Sequence, residues 1–495
     1  MAAEAEPLLA ASRRSSAAKW AVRAGAVGAA ALGLLAYAAP ARRVAAGAAL
    51  DANDVDSAVS RARVFERHLL KEYPLAVCND GSPAAYYFYP SPSGSKEKWV
   101  VMFEGGGACV SKAACDEEGR FDTSTTVAPY LAVSEGSFLN DAESPVIGDA
   151  NVVYAKYCSS DAWIGDRAAS DETGARHLRG SRIVDALFDD LEARHGLGSG
   201  GSGTTLVLAG SSAGGRGVFQ HADRLADRVE AISGGGRTVA VIDSSMYLDL
   251  PLPADAPLEQ YGTSPGDSVS WTESYAREQL AFANGYVAPA CAAAFPGDQT
   301  WRCYNGEDAL PTVRTPFALF QSLDDSFLLQ HVSNINHFFI EYADPDAYAN
   351  RVVPRQKFVR DRLTQAQEDG SAVVHARYMA AFSRLPAASS AVYAPSCFMH
   401  ELLLMGHFVI EKADSEEPVM LGSYRNLDVA GGDSFAAFFD SFATAALAGT
   451  DLPTSVVDAC AGFGCGSGCL ATKRGLVADA LEDAKYGVVY INPNH

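Results

Sequence analysis

Basic residues are scarce in this chain. Its 495 residues include 39 lysines and arginines against 60 aspartates and glutamates, a formal net charge of −21. Phosphate binding needs a positive surface, so this balance argues against nucleic acid as a partner. A strongly anionic polymer is also disfavoured as a substrate, although a locally less acidic cleft would still accept one.

Several common motifs are absent as well. The chain has no Asn-x-Ser/Thr sequon, so N-glycosylation is not expected. His400 and Glu401 begin an HExxH zinc motif, but Leu404 occupies its second ligand position. The next histidine, His407, does not follow one turn after His400. We therefore expect neither a metal nor another cofactor.

The chain contains ten cysteines, an even number. They are Cys78, Cys109, Cys115, Cys158, Cys291, Cys303, Cys397, Cys460, Cys465 and Cys469. No CxxC pair stands opposite a second one, and the CGSGC segment at 465–469 is wider than a zinc knuckle. This spacing favours disulfides over zinc, and disulfides imply an oxidising, secretory compartment.

The amino-terminal region resembles a targeting signal. Residues 24–41 are uncharged and mostly apolar, and basic residues precede them at positions 13, 14, 19 and 23. A helix of this length just spans the roughly 30 Å of membrane hydrocarbon, so we interpret it as a signal anchor, with a cleaved signal peptide as the alternative. The basic flank predicts a cytosolic tail over 1–23. The protein is then a single-pass type II membrane protein with a lumenal or extracellular catalytic domain, or it is secreted.

The remaining sequence divides into a linker and one long domain. We expect the linker over 42–57 and the domain over 58–495, beginning with an amphipathic helix at 58–72. Residues 251–310 show no clear periodicity and are interpreted as a cap or insertion. Nothing in the sequence indicates the oligomeric state.

Strand and helix patterns alternate along this domain. Apolar runs predict strands at 98–103, 151–157, 204–210, 237–243, 315–322 and 391–397. Helical patterns occupy 182–196, 214–230 and about 355–384. Such alternation predicts an α/β fold whose sheet is mostly parallel and covered by helices on both faces.

A GxSxG motif lies where one predicted strand passes into a predicted helix. It runs from Gly210 to Gly214 with Ser212 at its centre. A serine nucleophile needs a tight turn with small neighbours, which exposes the hydroxyl and directs the next N–H at a developing oxyanion. The motif predicts an α/β-hydrolase-like fold with Ser212 as nucleophile; the alternative is an ordinary glycine-rich turn.

A second glycine-rich element follows an earlier predicted strand. Its sequence is EGGGAC, from Glu104 to Cys109. An α/β-hydrolase places the loop with the other oxyanion donors at this point, and glycines let backbone N–H groups approach a substrate closely.

A serine nucleophile also needs a base and an acid, in the chain order Ser, Asp, His. Seven histidines follow Ser212, and His400 is favoured because it lies just past a predicted strand, beside Cys397. Three aspartates lie at or after predicted strand ends: Asp243, Asp324 and Asp325. Position alone does not choose among them.

Together these motifs resemble the pectin acetylesterase family, which includes Notum-type carboxylesterases. The resemblance covers roughly residues 75–470 and rests on EGGGAC (104–109), YCSSDAW (157–163), LRGSRIVDAL (178–187), GSSAGGRGV (210–218), DSSMYLD (243–249), DDSF (324–327) and APSCFMHE (394–401). It implies Ser212 as nucleophile, Asp325 as acid and His400 as base. It also implies Gly106, Gly107 and Ala213 as backbone oxyanion donors.

The resemblance further suggests how the cysteines pair. The family pattern implies disulfides between Cys78 and Cys158, between Cys109 and Cys115, and between Cys397 and Cys460. Pairing Cys291 with Cys303 and Cys465 with Cys469 accounts for the remaining four. One departure is Ala108, where the family usually has an aromatic residue.

The resemblance implies a serine carboxylic-ester hydrolase that removes O-acetyl groups from a cell-wall or extracellular polysaccharide. The alternative is a Notum-like deacylase of longer acyl esters on protein or lipid. A non-catalytic binding module is the least favoured hypothesis, because the serine, the histidine and the oxyanion glycines are all present.

Overall fold

A computed structural model describes most of the predicted domain. The described ranges are residues 62–250 except 134 and 136, and 270–333, 363–403, 408–411, 418–421, 434–458, 462–465 and 487–489. The predicted tail, targeting segment and linker, residues 1–57, lie outside these ranges. Within these ranges, no helix combines the length and apolar character needed to cross a bilayer.

The domain is built on one large β-sheet. The strands, in chain order, are β1 (Arg63–Leu69), β2 (Ala85–Tyr89), β3 (Lys98–Phe103), β4 (Tyr130–Val133), β5 (Asn151–Ala155), β6 (Thr205–Ser211), β7 (Arg237–Asp243), β8 (Phe317–Phe320), β9 (Asp324–Asp325), β10 (Ser390–Ala394), β11 (Phe398–Met399), β12 (Phe408–Glu411), β13 (Pro418–Leu421), β14 (Val456–Val457) and β15 (Gly487–Val489). The order across the sheet is β14-β10-β8-β7-β6-β3-β5-β2-β1-β4-β13-β12-β15, and β9 and β11 pair separately.

The middle of the sheet is parallel. From β14 to β5 each strand pairs in parallel with its neighbour. Their sequences are continuous apolar runs such as KWVVMF and TLVLAGS, because a central parallel strand is buried on both faces. Each of the six predicted strands is present, and their carboxyl ends lie along one edge of the sheet.

Helices cover both faces of the sheet, as predicted. They are α1 (Lys112–Glu117), α2 (Gly180–Asp190), α3 (Ala213–Ser233), α4 (Trp271–Ala283), α5 (Pro289–Ala294), α6 (Gly306–Ala309), α7 (Ser326–Ser333), α8 (Gln365–Phe382) and α9 (Phe435–Ala448). Buried residues of α2, α3 and α8 join one core cluster with alternate strand residues, whereas α9 packs on the opposite face. The predicted class, a mostly parallel sheet between helical layers, is confirmed.

The helix predicted at 58–72 is wrong, because residues 63–69 form β1. This strand pairs antiparallel with both β2 and β4. Its side chains alternate, with Phe65 fully buried while Val64 is 45% exposed. The apolar residues near positions 64 and 69 fit a helix almost as well as a strand. Hydrogen bonding to β2 on one side and β4 on the other favours the strand.

The predicted insertion at 251–310 is described from residue 270 onward. It contains α4, α5 and α6, and α4 was missed from the sequence. The buried face of α4 includes Thr272, Ala276, Gln279 and Ala283, so small and polar residues replace the apolar stripe on which helix prediction depends. Its description as a cap stays a prediction.

Three disulfides lie within the described residues. They join Cys78 to Cys158, Cys109 to Cys115 and Cys291 to Cys303. The pairs Cys397–Cys460 and Cys465–Cys469 each include a cysteine outside the described ranges and stay predictions. The second bond closes a short loop directly after the glycine-rich EGGGAC element.

These bonds are expected to stabilise the fold to different degrees. Cys78–Cys158 spans 80 residues and Cys109–Cys115 spans 6. Because the lost entropy of the unfolded chain grows with loop length, replacing the long-range pair by serines should lower the free energy of unfolding by about 4.5 kcal/mol, against about 2 kcal/mol for the short pair. Urea unfolding of the two double variants under non-reducing conditions tests this. An equal or larger loss from the short pair would contradict it.

Candidate active site

Ser212 sits on a strained turn between β6 and α3. Its φ of 52° and ψ of −119° are unusual for a residue with a side chain, and its N–H donates to the Asp243 carbonyl at 2.8 Å. A Cβ on Gly210 would clash with the backbone of Gly214, and one on Gly214 would clash with Phe103. Only glycine fits at both positions, so the motif produces the tight turn that a serine nucleophile would require.

The structure brings Ser212, His400 and Asp325 together. Ser212 Oγ lies 2.8 Å from His400 Nε2. On the other side of the ring, Nδ1 lies 2.9 Å and 3.0 Å from the two carboxylate oxygens of Asp325. In this geometry an imidazole can accept the serine proton while the carboxylate fixes its tautomer.

Charge on Asp325 tunes the histidine. Burial lowers the pKa of the His400 imidazolium, but the charge and hydrogen bonds of Asp325, together with the charges of Glu401 and Asp243, outweigh burial, so the net pKa is raised. Phe327 stacks on the imidazole with ring centroids 5.4 Å apart and holds it in place.

Asp325 is itself fixed by the start of a helix. Its Oδ1 accepts from the N–H groups of Phe327 and Leu328 at 3.0 Å each, and its Oδ2 accepts from Gln321 Nε2 at 3.0 Å. The carboxylate therefore caps α7, where the helix dipole favours negative charge. Pairing of β9 with β11 places Met399 beside Asp325, and His400 follows.

Asp324, the neighbouring candidate, faces a different set of groups. It accepts hydrogen bonds from Ser371, His375, Ser396 and the N–H of Gly464, at 2.6–2.9 Å. It therefore links α8 to the segments after β10 and β14, and it does not contact His400 in this arrangement.

Asp243, the third candidate, braces the site. Its Oδ2 accepts from Ser211 Oγ at 2.7 Å and from the N–H of Leu403 at 2.9 Å, and its Oδ1 accepts from the N–H of Leu402 at 2.8 Å. Burial raises the pKa of Asp243, although these hydrogen bonds oppose the shift. One side chain at the end of β7 thus ties the serine turn to the segment that follows His400.

The glycine-rich loop after β3 begins against the serine turn, since a Cβ on Gly105 would lie 3.0 Å from the Ser211 carbonyl oxygen. Gly106 and Gly107 have φ values of 141° and 70°, which favour glycine. Before them, Glu104 accepts from the N–H of Tyr157 at 2.7 Å and pairs with Lys156, while Trp163 Nε1 donates to the Glu104 carbonyl at 2.9 Å. YCSSDAW thus anchors the start of EGGGAC.

Three side chains hold the carbonyls of this loop. Arg120 Nη1 donates to the Gly106 carbonyl at 2.5 Å, Tyr157 donates to the Gly107 carbonyl at 2.7 Å, and Tyr275 donates to the Ala108 carbonyl. With the carbonyls bound, the loop cannot easily flip its peptide groups. The tethers fix the directions in which its N–H groups point, and preorganised donors are what an oxyanion site requires.

An aromatic wall with a buried cation stands next to the serine. Tyr247 stacks on Phe327 with centroids 5.5 Å apart, and Arg216 lies over the rings of Tyr247 and Tyr304 at 3.9 Å and 4.1 Å. Arg216 Nη1 donates to the Tyr304 hydroxyl at 2.8 Å, whereas its Nε and Nη2 have no hydrogen-bond partner among the described residues. Burial raises the pKa of Tyr247, whose interacting neighbours include Arg216, Asp325 and Ser212.

Sequence reasoning missed the supports around these residues. The brace at Asp243, the tethers from Tyr157 and Tyr275, and the Arg216 wall join segments far apart in the chain, and the tether from Arg120 spans 14 residues. Asp243 carried a signal, its place at a strand end, but that signal suggested a different role. Tyr157 and Arg216 lie inside the motifs YCSSDAW and GSSAGGRGV, which gave them no role. Within the described ranges, no three His, Cys, Asp or Glu side chains converge as a metal site would require.

Comparison with known proteins gives consistent matches. Residues 60–418 match the pectinacetylesterase family. The human palmitoleoyl-protein carboxylesterase NOTUM is 30% identical over 341 residues, which cover 67% of this chain and 60% of that protein. The Drosophila melanogaster protein of the same name is 30% identical over 345 residues, covering 68% of this chain and 45% of the other. The matched region is thus less than two thirds of either relative.

A solved structure shows the same fold. The crystal structure of the Wnt deacylase Notum from Drosophila superposes with a TM-score of 0.62 at 25% identity. The superposition covers 82% of this chain and 99% of the other. The predicted α/β-hydrolase-like fold is therefore confirmed.

The two adjacent aspartates should respond differently to substitution. Asp325→Asn removes the charge that orients His400 and should lower kcat about 10⁴-fold. Asp324→Asn removes one of the two acceptor oxygens that receive buried hydrogen bonds from four donors. It should lower the free energy of unfolding by about 1–3 kcal/mol, while ester turnover persists. Ester hydrolysis and urea unfolding of both variants provide the test. If Asp324→Asn abolishes turnover and Asp325→Asn does not, the acid is assigned to the wrong residue.

Proposed function

The chain belongs to the pectinacetylesterase family, and on that premise we propose that it is a serine carboxylic-ester hydrolase. The observation that carries the proposal is the hydrogen-bonded series Ser212–His400–Asp325 beside a tethered glycine loop. Nucleophile, base, acid and oxyanion donors are the parts that two-step acyl transfer needs. No cofactor enters the reaction, since these residues supply every step.

In the first step, Ser212 Oγ attacks the ester carbonyl carbon and its proton passes to His400 Nε2. The resulting oxyanion is stabilised by the N–H groups of Gly106, Gly107 and Ala213, of which the last begins α3. Collapse of the tetrahedral intermediate breaks the bond to the alcohol, which takes the proton from His400. Asp325 keeps Nδ1 protonated and stabilises the imidazolium while it exists.

In the second step, water attacks the acyl-serine ester. His400 now accepts a proton from the water, and the second tetrahedral intermediate collapses: the bond to Ser212 Oγ breaks, Oγ takes the proton back from His400, and the carboxylic acid is released. The tethers from Arg120, Tyr157 and Tyr275 serve both steps, because the same oxyanion position forms twice.

For the acyl group we propose acetyl, carried on a cell-wall or extracellular polysaccharide. A long acyl chain needs an apolar lining, whereas the wall beside Ser212 carries the buried cation Arg216, two of whose nitrogens find no hydrogen-bond partner in the described ranges. A cavity of about 210 Å³ borders the glycine loop, and its lining includes Glu104, Arg120, Asp122, Thr123 and Lys156. A polar lining of this kind would suit a hydroxyl-rich leaving group that extends past the glycine loop from Ser212, which is not itself among the lining residues.

A longer acyl group on a protein is the second candidate. It is favoured by the relatives, whose names describe palmitoleoyl-protein carboxylesterases. Acyl length decides between the two candidates.

We propose that the enzyme acts in the secretory pathway or outside the cell. The disulfides at Cys78–Cys158, Cys109–Cys115 and Cys291–Cys303 support an oxidising compartment. Attachment to a membrane would come from residues 24–41, which lie outside the described ranges.

Ser212→Ala should remove ester turnover while the fold stays intact. The variant deletes the nucleophilic oxygen but keeps the small side chain that the turn accepts, so kcat should fall by about 10⁶-fold. Hydrolysis of p-nitrophenyl acetate by residues 50–495, made under oxidising conditions, measures the change, and circular dichroism checks the fold. Turnover at the wild-type rate would overturn the assignment of Ser212. A wild-type protein inactive on every ester would instead support a binding module.

The acyl preference should peak at acetyl. We expect kcat/KM on p-nitrophenyl esters to fall as the acyl chain lengthens from two to twelve carbons, because the buried Arg216 places a charge in the wall beside Ser212. Arg216→Leu should move the preference toward longer chains, with exposed Arg182→Leu as a control for loss of charge. A wild-type maximum at eight or more carbons would favour protein or lipid deacylation.

A further inference from the structure

We propose that Glu401 is a positioning residue whose neutral, protonated carboxyl group supports the glycine-rich loop at Gly105. The proposal rests on the esterase function proposed above. It gives a role to the buried acid that directly follows His400 and that acyl transfer itself does not use.

The backbone turns the Glu401 side chain inward. Its φ is 64°, in the left-handed region that few residues with side chains adopt. Its N–H donates to Ser244 Oγ at 2.9 Å, and the next two N–H groups donate to Asp243. These bonds to the end of β7 hold the strained turn, so the side chain, only 3% exposed, cannot easily leave the interior.

The carboxyl group lies against the loop that carries the oxyanion donors. A Cβ built on Gly105 would overlap Glu401 Oε1, so the carboxyl group occupies the space that a side chain at 105 would need. Gly105 directly precedes Gly106 and Gly107. Any change in the size or hydration of the Glu401 carboxyl therefore acts on the position of those two N–H groups.

The surroundings favour the neutral form of this carboxyl group. Carboxylates face it from three elements: Glu104 after β3, Asp243 at the end of β7, and Asp325 on β9; the phenol of Tyr154 faces it from β5. The facing cation is His400 when protonated, and Lys156 lies beyond Glu104, with which it is paired.

Hydrogen bonding agrees with a neutral group. Glu401 Oε1 is buried and has no hydrogen-bond partner among the described residues, which is far more costly for a carboxylate than for a carboxylic acid. Burial raises the pKa of Glu401 to about 7, and the charges of Asp243, Glu104 and Asp325 add to this while His400 opposes it.

Loss of the Glu401 proton then lowers the activity at alkaline pH. A neutral Glu401 leaves the oxyanion site without an extra negative charge. Once ionised, it repels the developing oxyanion, raises the pKa of the adjacent His400 and draws water toward Gly105. Because His400 must be neutral to act as base, activity should rise and then fall with pH, with the fall beginning near neutrality.

The test compares Glu401→Gln and Glu401→Ala with the wild type. Glutamine keeps the shape of a neutral carboxyl group, so its best kcat should be within about two-fold of the wild type, its acid limb should stay in place, and its alkaline fall should vanish. Alanine removes the support, so kcat should fall about ten- to hundred-fold at every pH with KM unchanged. Exposed Glu230→Gln on α3 is the matched control. Hydrolysis of p-nitrophenyl acetate from pH 5 to 9, corrected for the spontaneous reaction, measures all four proteins.

A second measurement does not need turnover. A carboxyl whose pKa is about 7 when folded and 4.5 when unfolded keeps its proton in the folded state while the unfolded chain has lost it. Stability therefore falls as pH rises through that window, and the glutamine variant lacks this fall. The Tm of Glu401→Gln minus that of the wild type should grow more positive from pH 4.5 to pH 7 and then stay level.

The outcomes separate the two proposals. If the wild type hydrolyses esters and Glu401→Gln loses activity at alkaline pH in the same way, the role of Glu401 is overturned and the esterase function is not. The same holds if the Tm difference is flat with pH, or if glutamine is as damaging as alanine. Absence of turnover by the wild type on every ester overturns the esterase function and this inference with it.

Discussion

Parallel pairing of β3, β6, β7, β8 and β10 is the constraint on which the site depends. Parallel strands of similar register end at one edge, so the segments that follow them meet whatever their separation in the chain. The glycine-rich loop follows β3, Ser212 follows β6, Asp243 ends β7, and Asp325 and His400 follow β8 and β10. A slip in one strand would move a functional group by a residue's length, which is far beyond what a hydrogen-bonded series tolerates.

Four buried carboxyl groups at this edge take four roles because their partners differ. Asp325 has two backbone N–H donors and the imidazole, so its charge is stabilised and available to His400. The carboxylate oxygens of Asp324 accept hydrogen bonds from four donors on other segments. Asp243 holds backbone in place, and Glu401 has an oxygen with no hydrogen-bond partner within the part of the chain that the structure describes. The role of each carboxyl group at this edge therefore follows from the hydrogen-bond donors around it more than from its residue type.

The sequence predicted the framework of the site well because local patterns encode it. Six apolar runs became strands, and GxSxG became the strained turn at Ser212. The sequence could not separate Asp243, Asp324 and Asp325, since all three lie at strand ends and differ only in donors that arrive from distant segments, such as Gly464. Likewise, the tether from Tyr275 to Ala108 joins residues 167 positions apart. At β1 the local pattern was ambiguous, and two neighbouring strands decided it.

Position 108 carries alanine instead of an aromatic residue, and the residues that pack around Ala108 also support the glycine-rich loop. Ala108 packs in a small cluster with Ala213, Trp301 and Tyr304, so the bulk that the loop itself lacks is supplied from the 270–310 segment. That segment also provides Tyr275, which fixes the loop, and Tyr304, which holds Arg216. The insertion is thus part of the wall of the site as well as a support for the oxyanion loop. In the proposed reaction, acyl selectivity and loop geometry depend on this same segment, so a change there that admits a longer acyl group would also loosen the glycine-rich loop.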